Sequence, residues 1–150
     1  MSAPPSETEG ALEYETRIAA SPEVVFGFFT DPVKMVQWMG TEATLDPRPG
    51  GVCRVNPAGH AVMSGQFLEV DPPRRLVFTW GWTHDHAVAP GSTRVVVTFR
   101  EEDGGTRVVL HHHDLPDDEQ TDHHRRGWDM YLARLVVCVT GGDPGPDPNV

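Results

Sequence analysis

The chain has 150 residues, a mass of 16.5 kDa and a formal net charge of −10 at pH 7, from 12 basic and 22 acidic side chains. This length predicts one domain, and the negative charge argues against binding to nucleic acid or to an anionic membrane surface, since both require a basic face. Because Cys53 and Cys138 are too few for a disulfide framework, and because residues 1–10 lack the features of a signal peptide, we expect a reduced, cytoplasmic protein. The sequence has neither a G-x-G-x-x-G motif nor a P-loop, so we expect no cofactor.

The two ends of the chain differ in composition from its middle. Residues 1–10 are mostly Pro, Ser and Glu, and residues 141–150 are mostly Gly, Pro and Asp. Neither end has enough apolar residues to bury a face against a core. We therefore expect two disordered tails around a single domain at residues 11–140.

The domain begins with a predicted edge strand and two short helices. The strand covers residues 11–20, a short segment in which apolar and polar residues are mixed. Ser21 is a favourable N-cap, and Pro22 suits the first position of the helix that follows. Asp31 and the proline after it repeat this signal. A second short helix is therefore expected, running to about Trp38.

The middle of the chain predicts a series of antiparallel strands. Its apolar runs are separated by turns rich in Gly and Pro, and they cover residues 42–47, 51–56, 61–71, 74–83, 93–102 and 105–113. Large apolar residues alternate with smaller or polar ones in the later runs, which predicts a sheet with one covered face. Which face of the strand at 61–71 points inward is not decided by the sequence, because the apolar residues Leu68 and Phe67 lie on opposite faces.

The last predicted element is a long helix that covers the sheet. Asp117 and Asp118 place negative charge at its start, and Gly141 ends it. Its apolar residues recur at helical spacing, namely Trp128, Tyr131, Leu132, Leu135, Cys138 and Val139. The expected fold is α+β: a curved antiparallel sheet of six to seven strands around a long C-terminal helix, with two short helices after the first strand.

Several segments, in this order, resemble a known superfamily. They include ASPEVVF at 20–26, RPGG at 48–51, EVDPPRRLVFTW at 69–80 and the residues from Thr106 to His112. The sequence resembles the START-like superfamily (SRPBCC, helix-grip) over residues 11–140, and within it the domains homologous to activators of the heat-shock-chaperone ATPase. The resemblance implies an apolar cavity between the sheet and the last helix. Members include binders of small hydrophobic ligands, polyketide cyclases and chaperone-binding domains.

The candidate ligand-binding residues are those whose parity or helical spacing points them inward. They are Trp38, Phe78, Trp80, Trp82, Phe99, His112, Trp128, Tyr131 and Leu135. Buried indole and phenol groups need hydrogen-bond partners, and several of them around one space could hold an apolar ligand with polar edges. The alternative is that these side chains simply fill the core.

Histidines supply the candidates for other chemistry. His112 shares the parity of Leu110, so it is an acid–base candidate, or else a core histidine bonded to backbone or to a tryptophan. The ends of neighbouring strands also bring histidines to one rim of the sheet. His84, His86, His111 and His113 are weak metal candidates there, against the alternative of a solvated rim.

Three hypotheses of function follow. The first is a domain that binds a small hydrophobic or aromatic ligand between the sheet and the C-terminal helix. The second is an enzyme of polyketide cyclase or dehydratase type that uses His112. The third is a chaperone-interaction module of the ATPase-activator kind, and self-association as a homodimer is open in each case.

Overall fold

The computed structural model describes residues 11–58 and 61–148. The tail expected at residues 1–10 lies outside these ranges. The described chain is α+β, as predicted from the sequence. Its elements are β1 (Leu12–Ile18), α1 (Pro22–Thr30), α2 (Pro32–Met35), β2 (Glu42–Leu45), β3 (Val52–Ala58), β4 (Ala61–Asp71), β5 (Arg75–Trp80), β6 (Thr93–Glu102), β7 (Gly105–His113) and α3 (Asp118–Val139).

The strands form one curved sheet in the order β1-β7-β6-β5-β4-β3-β2, with every neighbouring pair antiparallel. From β2 to β7 each strand pairs with the next one along the chain, which is the meander that the turn signals predict. The strand β1 adds to the far edge beside β7, with Leu12 opposite His112. In the described part of the chain, no helix is both long and apolar enough to cross a bilayer.

The two short helices begin where the sequence predicts. The Ser21 side chain accepts a hydrogen bond from the backbone N–H of Val24, and Asp31 caps α2 in the same way through Val33. The second helix is shorter than expected. It ends at Met35 because the chain then tightens, with the N–H of Trp38 bonded to the carbonyl three residues back.

The structure settles which face of β4 is inside. Met63 and Phe67 are fully buried, whereas Leu68 is exposed. A register shift between Phe67 and Glu69 then changes the parity, so that Val70 also packs against the core. A strict alternation along residues 61–71 cannot describe this strand, because an extra residue interrupts it.

Trp82 is not part of β5, contrary to the strand expected at 74–83. The strand ends at Trp80, because the next residue, Gly81, passes so close to the carbonyl of Ala89 that a Cβ there would collide with it. Trp82 instead forms an isolated bridge with Met63. Its backbone N–H donates to the carbonyl of Val88, 2.7 Å away.

The segment after α3 differs from the disordered tail that composition predicts. Residues 141–148 fold back on the domain, and Asp147 is only 8% exposed. The Arg134 guanidinium on α3 donates to three carbonyl oxygens of this segment, those of Pro144, Gly145 and Pro146. The segment has few apolar side chains, so its order comes from backbone carbonyls that satisfy a buried cation.

Candidate functional site

An apolar cavity lies between the concave face of the sheet, α1–α2 and α3. Its lining comes from every layer of the fold and consists of Phe29, Met35, Trp38, Met39, Cys53, Met63, Phe78, Trp80 and Trp128. The strands supply their inward-facing residues, and α3 supplies Trp128 from its buried stripe. The location agrees with the space that the family resemblance implies.

This cavity is nearly filled by its own walls. Its volume is about 10 Å³, which is close to the minimum that one water molecule needs. The sequence suggests an open hollow beneath the last helix, whereas here the aromatic side chains pack against one another. Trp80 and Trp128, for example, have ring centroids 4.9 Å apart. Any guest larger than a water requires the walls to move.

Beside the cavity, His112 is held in a chain of hydrogen bonds. The indole N–H of Trp128 donates to its Nδ1 over 3.1 Å. An indole is a donor only, so Nδ1 must be the unprotonated nitrogen, and Nε2–H donates to Thr93 Oγ1 at 2.9 Å. The Thr93 hydroxyl in turn donates to the carbonyl of Trp80. Both ring nitrogens of His112 are therefore engaged within the protein.

A second tryptophan–histidine pair lies next to the first. The indole N–H of Trp82 donates to His124 Nε2 over 3.2 Å, and His124 Nδ1 donates to the carbonyl of Gln120, one helical turn earlier. The rings of His112 and His124 meet edge to face with centroids 5.2 Å apart. Two imidazoles and three indoles thus form one cluster, with Trp80 in contact with all the others.

Both imidazoles are neutral in this setting. Burial lowers the pKa of His112 well below its usual range, and the neighbouring rings of His124 and His113 lower it further. Burial also lowers the pKa of His124, against a smaller opposing effect of the Gln120 carbonyl. Since His112 has no ring nitrogen left for a substrate, the arrangement matches a core histidine bonded to a tryptophan better than an acid–base catalyst.

Only some of the residues selected from the sequence meet at the cavity. Trp38, Phe78, Trp80 and Trp128 line it, and Trp82 and His112 lie behind Trp80 in the ring cluster. The remaining three serve the core elsewhere. Phe99 packs against the rings of Phe26 and Phe29, Tyr131 donates to Asp147, and Leu135 is fully buried on α3.

Two of the four metal candidates are neighbours, but in the described chain they belong to no group of three or more possible ligands. His111 and His113 lie on the sheet face opposite His112, with their rings 6.2 Å apart. His111 Nε2 is 3.9 Å from a carboxylate oxygen of Glu13 on the neighbouring strand. His84 lies against the ring of Trp82 instead. Over residues 11–58 and 61–148, no three His, Cys, Asp or Glu side chains are grouped so as to hold a metal ion.

Sequence reasoning did not select five of the nine lining residues, namely Phe29, Met35, Met39, Cys53 and Met63. Met35 and Met39 come from α2 and the turn after it, and Met63 comes from β4, whose parity was open. Cys53 lies beside them, and burial raises the pKa of its thiol to about 12, so it acts as a small apolar group. One signal was available: Met35 and Met39 are four residues apart, the spacing of one helical face.

Comparison with known proteins places the chain in a family. Residues 19–140 match the family model described as Activator of Hsp90 ATPase homolog 1-like protein. A comparison with curated protein sequences gave no significant match. Among solved structures, the chain is similar to the AHSA1-like protein RHE_CH02687 from Rhizobium etli, with 43% identity and a TM-score of 0.75, over 93% of this chain and 88% of that one.

Two more distant structures share the fold. An Hsp90 activator from Plasmodium falciparum, PFC0360w, has 22% identity and a TM-score of 0.72, over 87% of this chain and 96% of that one. The Aha1 dimer from Colwellia psychrerythraea has 14% identity and a TM-score of 0.77, over 88% and 97%. Since the family model covers most of the chain, the protein belongs to the family of Activator of Hsp90 ATPase homolog 1-like proteins.

Proposed function

We propose that the protein binds a small hydrophobic ligand in the cavity beneath α3. The observation that supports this proposal is the lining itself: nine apolar or aromatic side chains from the sheet, α1–α2 and α3 converge on one space. Ligand pockets are commonly lined in this way and commonly lie between layers of a fold.

The cavity must open to admit a ligand, and its walls are suited to that. Three of the five methionines of the chain lie in the lining, namely Met35, Met39 and Met63. Methionine has three flexible side-chain bonds and adapts its shape at low cost, and its sulfur makes favourable contacts with aromatic rings. A flat apolar ligand can therefore take the place of methionine side chains between the indoles without displacing a strand.

Methionine methyl NMR tests this proposal with an internal control. Titration with ethylnaphthalene, an uncharged apolar probe, should shift the methyl signals of Met35, Met39 and Met63 in a saturable manner. The signal of Met130 should stay in place, because this residue packs against the core from α3 but does not line the cavity. Saturable shifts at Met130 alone would place the binding site elsewhere, and no saturable shift at any methionine would refute the proposal.

A matched pair of variants tests the same site by changing the volume of the cavity. Met63→Ala should lower the free energy of unfolding by about 2–5 kcal/mol, because it leaves a larger cavity, and the same cavity should bind ethylnaphthalene more tightly. Met130→Ala is the control and should leave the affinity unchanged. The affinity is measured by the quenching of tryptophan fluorescence. Equal affinities for Met63→Ala and the parent protein would argue against this location.

A second function that we propose is contact with an Hsp90-type chaperone. The family match favours it, together with the shared fold of the Plasmodium activator. Adding the protein to a purified Hsp90 should raise its rate of ATP hydrolysis above that seen with an equal amount of serum albumin. An unchanged rate, with no complex in gel filtration, would count against it. Self-association is a further proposal, in line with the Colwellia relative that is described as a dimer.

A further inference from the structure

The four tryptophans of the chain differ in how their indole N–H groups are satisfied. Trp38 donates to the carbonyl of Phe28 at 2.9 Å, and Trp82 and Trp128 donate to His124 and His112. The Nε1–H of Trp80 finds no acceptor within residues 11–58 and 61–148, although this side chain is only 5% exposed. A buried donor without a partner is costly, so this group requires an explanation.

The two imidazoles that contact the Trp80 ring, those of His112 and His124, are already fully bonded. Each neighbouring imidazole accepts from another indole through one nitrogen and donates through the other, as described above for His112 and His124. Neither histidine has an acceptor left for Trp80. Trp80 also lies in the wall of the cavity, so we take the cavity as the place from which an acceptor reaches its N–H.

A lone water is a poor occupant of that cavity. There is room for about one water, but a buried water needs two to four polar partners, and the rest of the lining is thioether, thiol and ring carbon or indole N–H groups that are bonded elsewhere. A charged ligand is also a poor occupant, because the described walls offer no cation and desolvation of a carboxylate is costly. An uncharged apolar molecule that carries an oxygen atom supplies an acceptor to Trp80 without bringing a charge or further unpaired polar groups into the cavity.

We propose that the ligand is an uncharged aromatic ketone or aldehyde whose carbonyl oxygen accepts a hydrogen bond from the indole N–H of Trp80. This inference rests on the proposed ligand-binding function and specifies its chemistry. The aromatic body lies among the methionines and indoles of the lining, where offset stacking and sulfur–ring contacts are favourable. Trp80 thus selects for a carbonyl, and the rest of the cavity selects for apolar shape.

Two probes of similar size and shape separate these contributions. Methyl naphthyl ketone carries a carbonyl group, and ethylnaphthalene has a methylene group in its place. Their affinities are measured by fluorescence quenching, and the four indole N–H signals are followed by amide NMR. We expect the ketone to bind ~10-fold more tightly, because it satisfies a buried donor that the hydrocarbon leaves unpaired. The Trp80 N–H signal should move downfield with the ketone only.

Trp80→Phe removes the donor and keeps an aromatic ring. In this variant the ketone and ethylnaphthalene should bind with about equal affinity, because neither can accept a hydrogen bond from residue 80. Val137→Ala, an exposed position on α3, is the control and should keep the full preference. If the variant does not fold, the indole signals of the parent protein still decide the question, because the shift of Trp80 is read without any substitution.

The outcomes distinguish this inference from the function on which it rests. Equal binding of both probes, with the Trp80 N–H signal unmoved, would overturn the inference and leave the proposed ligand-binding function standing. Saturable binding of neither probe would overturn both. A ketone preference that persists in Trp80→Phe would assign the carbonyl to another donor and would also overturn the inference.

Discussion

At the scale of single residues, donor and acceptor capacity decides the roles of the buried histidines. An indole can only donate, so each tryptophan that bonds to a histidine fixes which of its nitrogens is unprotonated. The second nitrogen of His112 then donates to Thr93, and that of His124 to a backbone carbonyl. Protonation of either ring would turn its acceptor nitrogen into a donor facing an indole N–H.

This arrangement predicts that the protein loses stability in mild acid. The folded-state pKa of both His112 and His124 is lowered, so the unfolded chain binds more protons below the ordinary histidine value of 6.5. The two histidines contribute fully to the free energy of unfolding above pH 6.5, and this contribution is lost as the pH falls below 6.5. For His112 the slope should approach ~1.4 kcal/mol per pH unit. Urea unfolding at a series of pH values measures it.

Two variants assign that slope to its source. His112→Gln should give a flatter dependence of unfolding free energy on pH below 6.5, whatever its absolute stability, because the group that titrates on unfolding is gone. His86→Gln, at an exposed position, should keep the slope of the parent protein. An unchanged slope in His112→Gln would contradict a neutral, buried His112.

At the scale of elements, residues 141–148, which follow α3, lie across the turn between α2 and β2 and are called the strap below. The Asp147 carboxylate accepts from the Tyr131 hydroxyl and from the backbone N–H of Gly40, 2.8 Å away. Gly40 has a positive φ of 81°, and a Cβ there would crowd the carbonyl of Asn56. The strap and Arg134, which also donates to the Trp38 carbonyl, hold the segment that carries part of the cavity wall.

Removing the strap carboxylate should destabilise the fold. Asp147→Ala removes the carboxylate to which the Tyr131 hydroxyl and the Gly40 N–H donate, and we expect the free energy of unfolding to fall by about 1–3 kcal/mol in urea unfolding. Hydrogen exchange at Gly40 should become faster, whereas Thr41, bonded to the Asn56 carbonyl, should change little. Asp122→Asn, in an exposed ion pair with Arg125, is the control and should cost less than ~1 kcal/mol. Equal effects of the two substitutions would argue against a structural strap.

At the scale of the whole molecule, the described residues form one sheet, two short helices and one long helix around a common core. Residues from β3, β4, β5, α1–α2 and α3 all reach the same cavity. Its size is therefore a property of how the layers pack, and it changes if the 37–40 turn or the methionine side chains move. A solved structure with 14% identity shares this fold, so the fold tolerates extensive change in sequence.

Much of the architecture could be predicted from the sequence because its signals are local. The caps at Ser21 and Asp31, the turns between the strands and the apolar spacing on α3 each depend on residues close together in the chain. Trp38, Phe78, Trp80 and Trp128 could likewise be placed at the cavity from parity and spacing. Met63 could not, because a bulge in β4 makes the parity of that strand ambiguous.

The sequence by itself determined the fold class, the order of the elements and the inward-facing aromatic residues, since periodicity and turn chemistry act over a few neighbours. Tertiary structure alone decided that the space beneath α3 is nearly filled, that His112 bonds to Trp128, 16 residues away in the chain, and that Asp147 reaches Gly40. These contacts depend on how side chains distant in sequence share one volume, and on which donor finds which acceptor once water is excluded. No local pattern encodes either outcome.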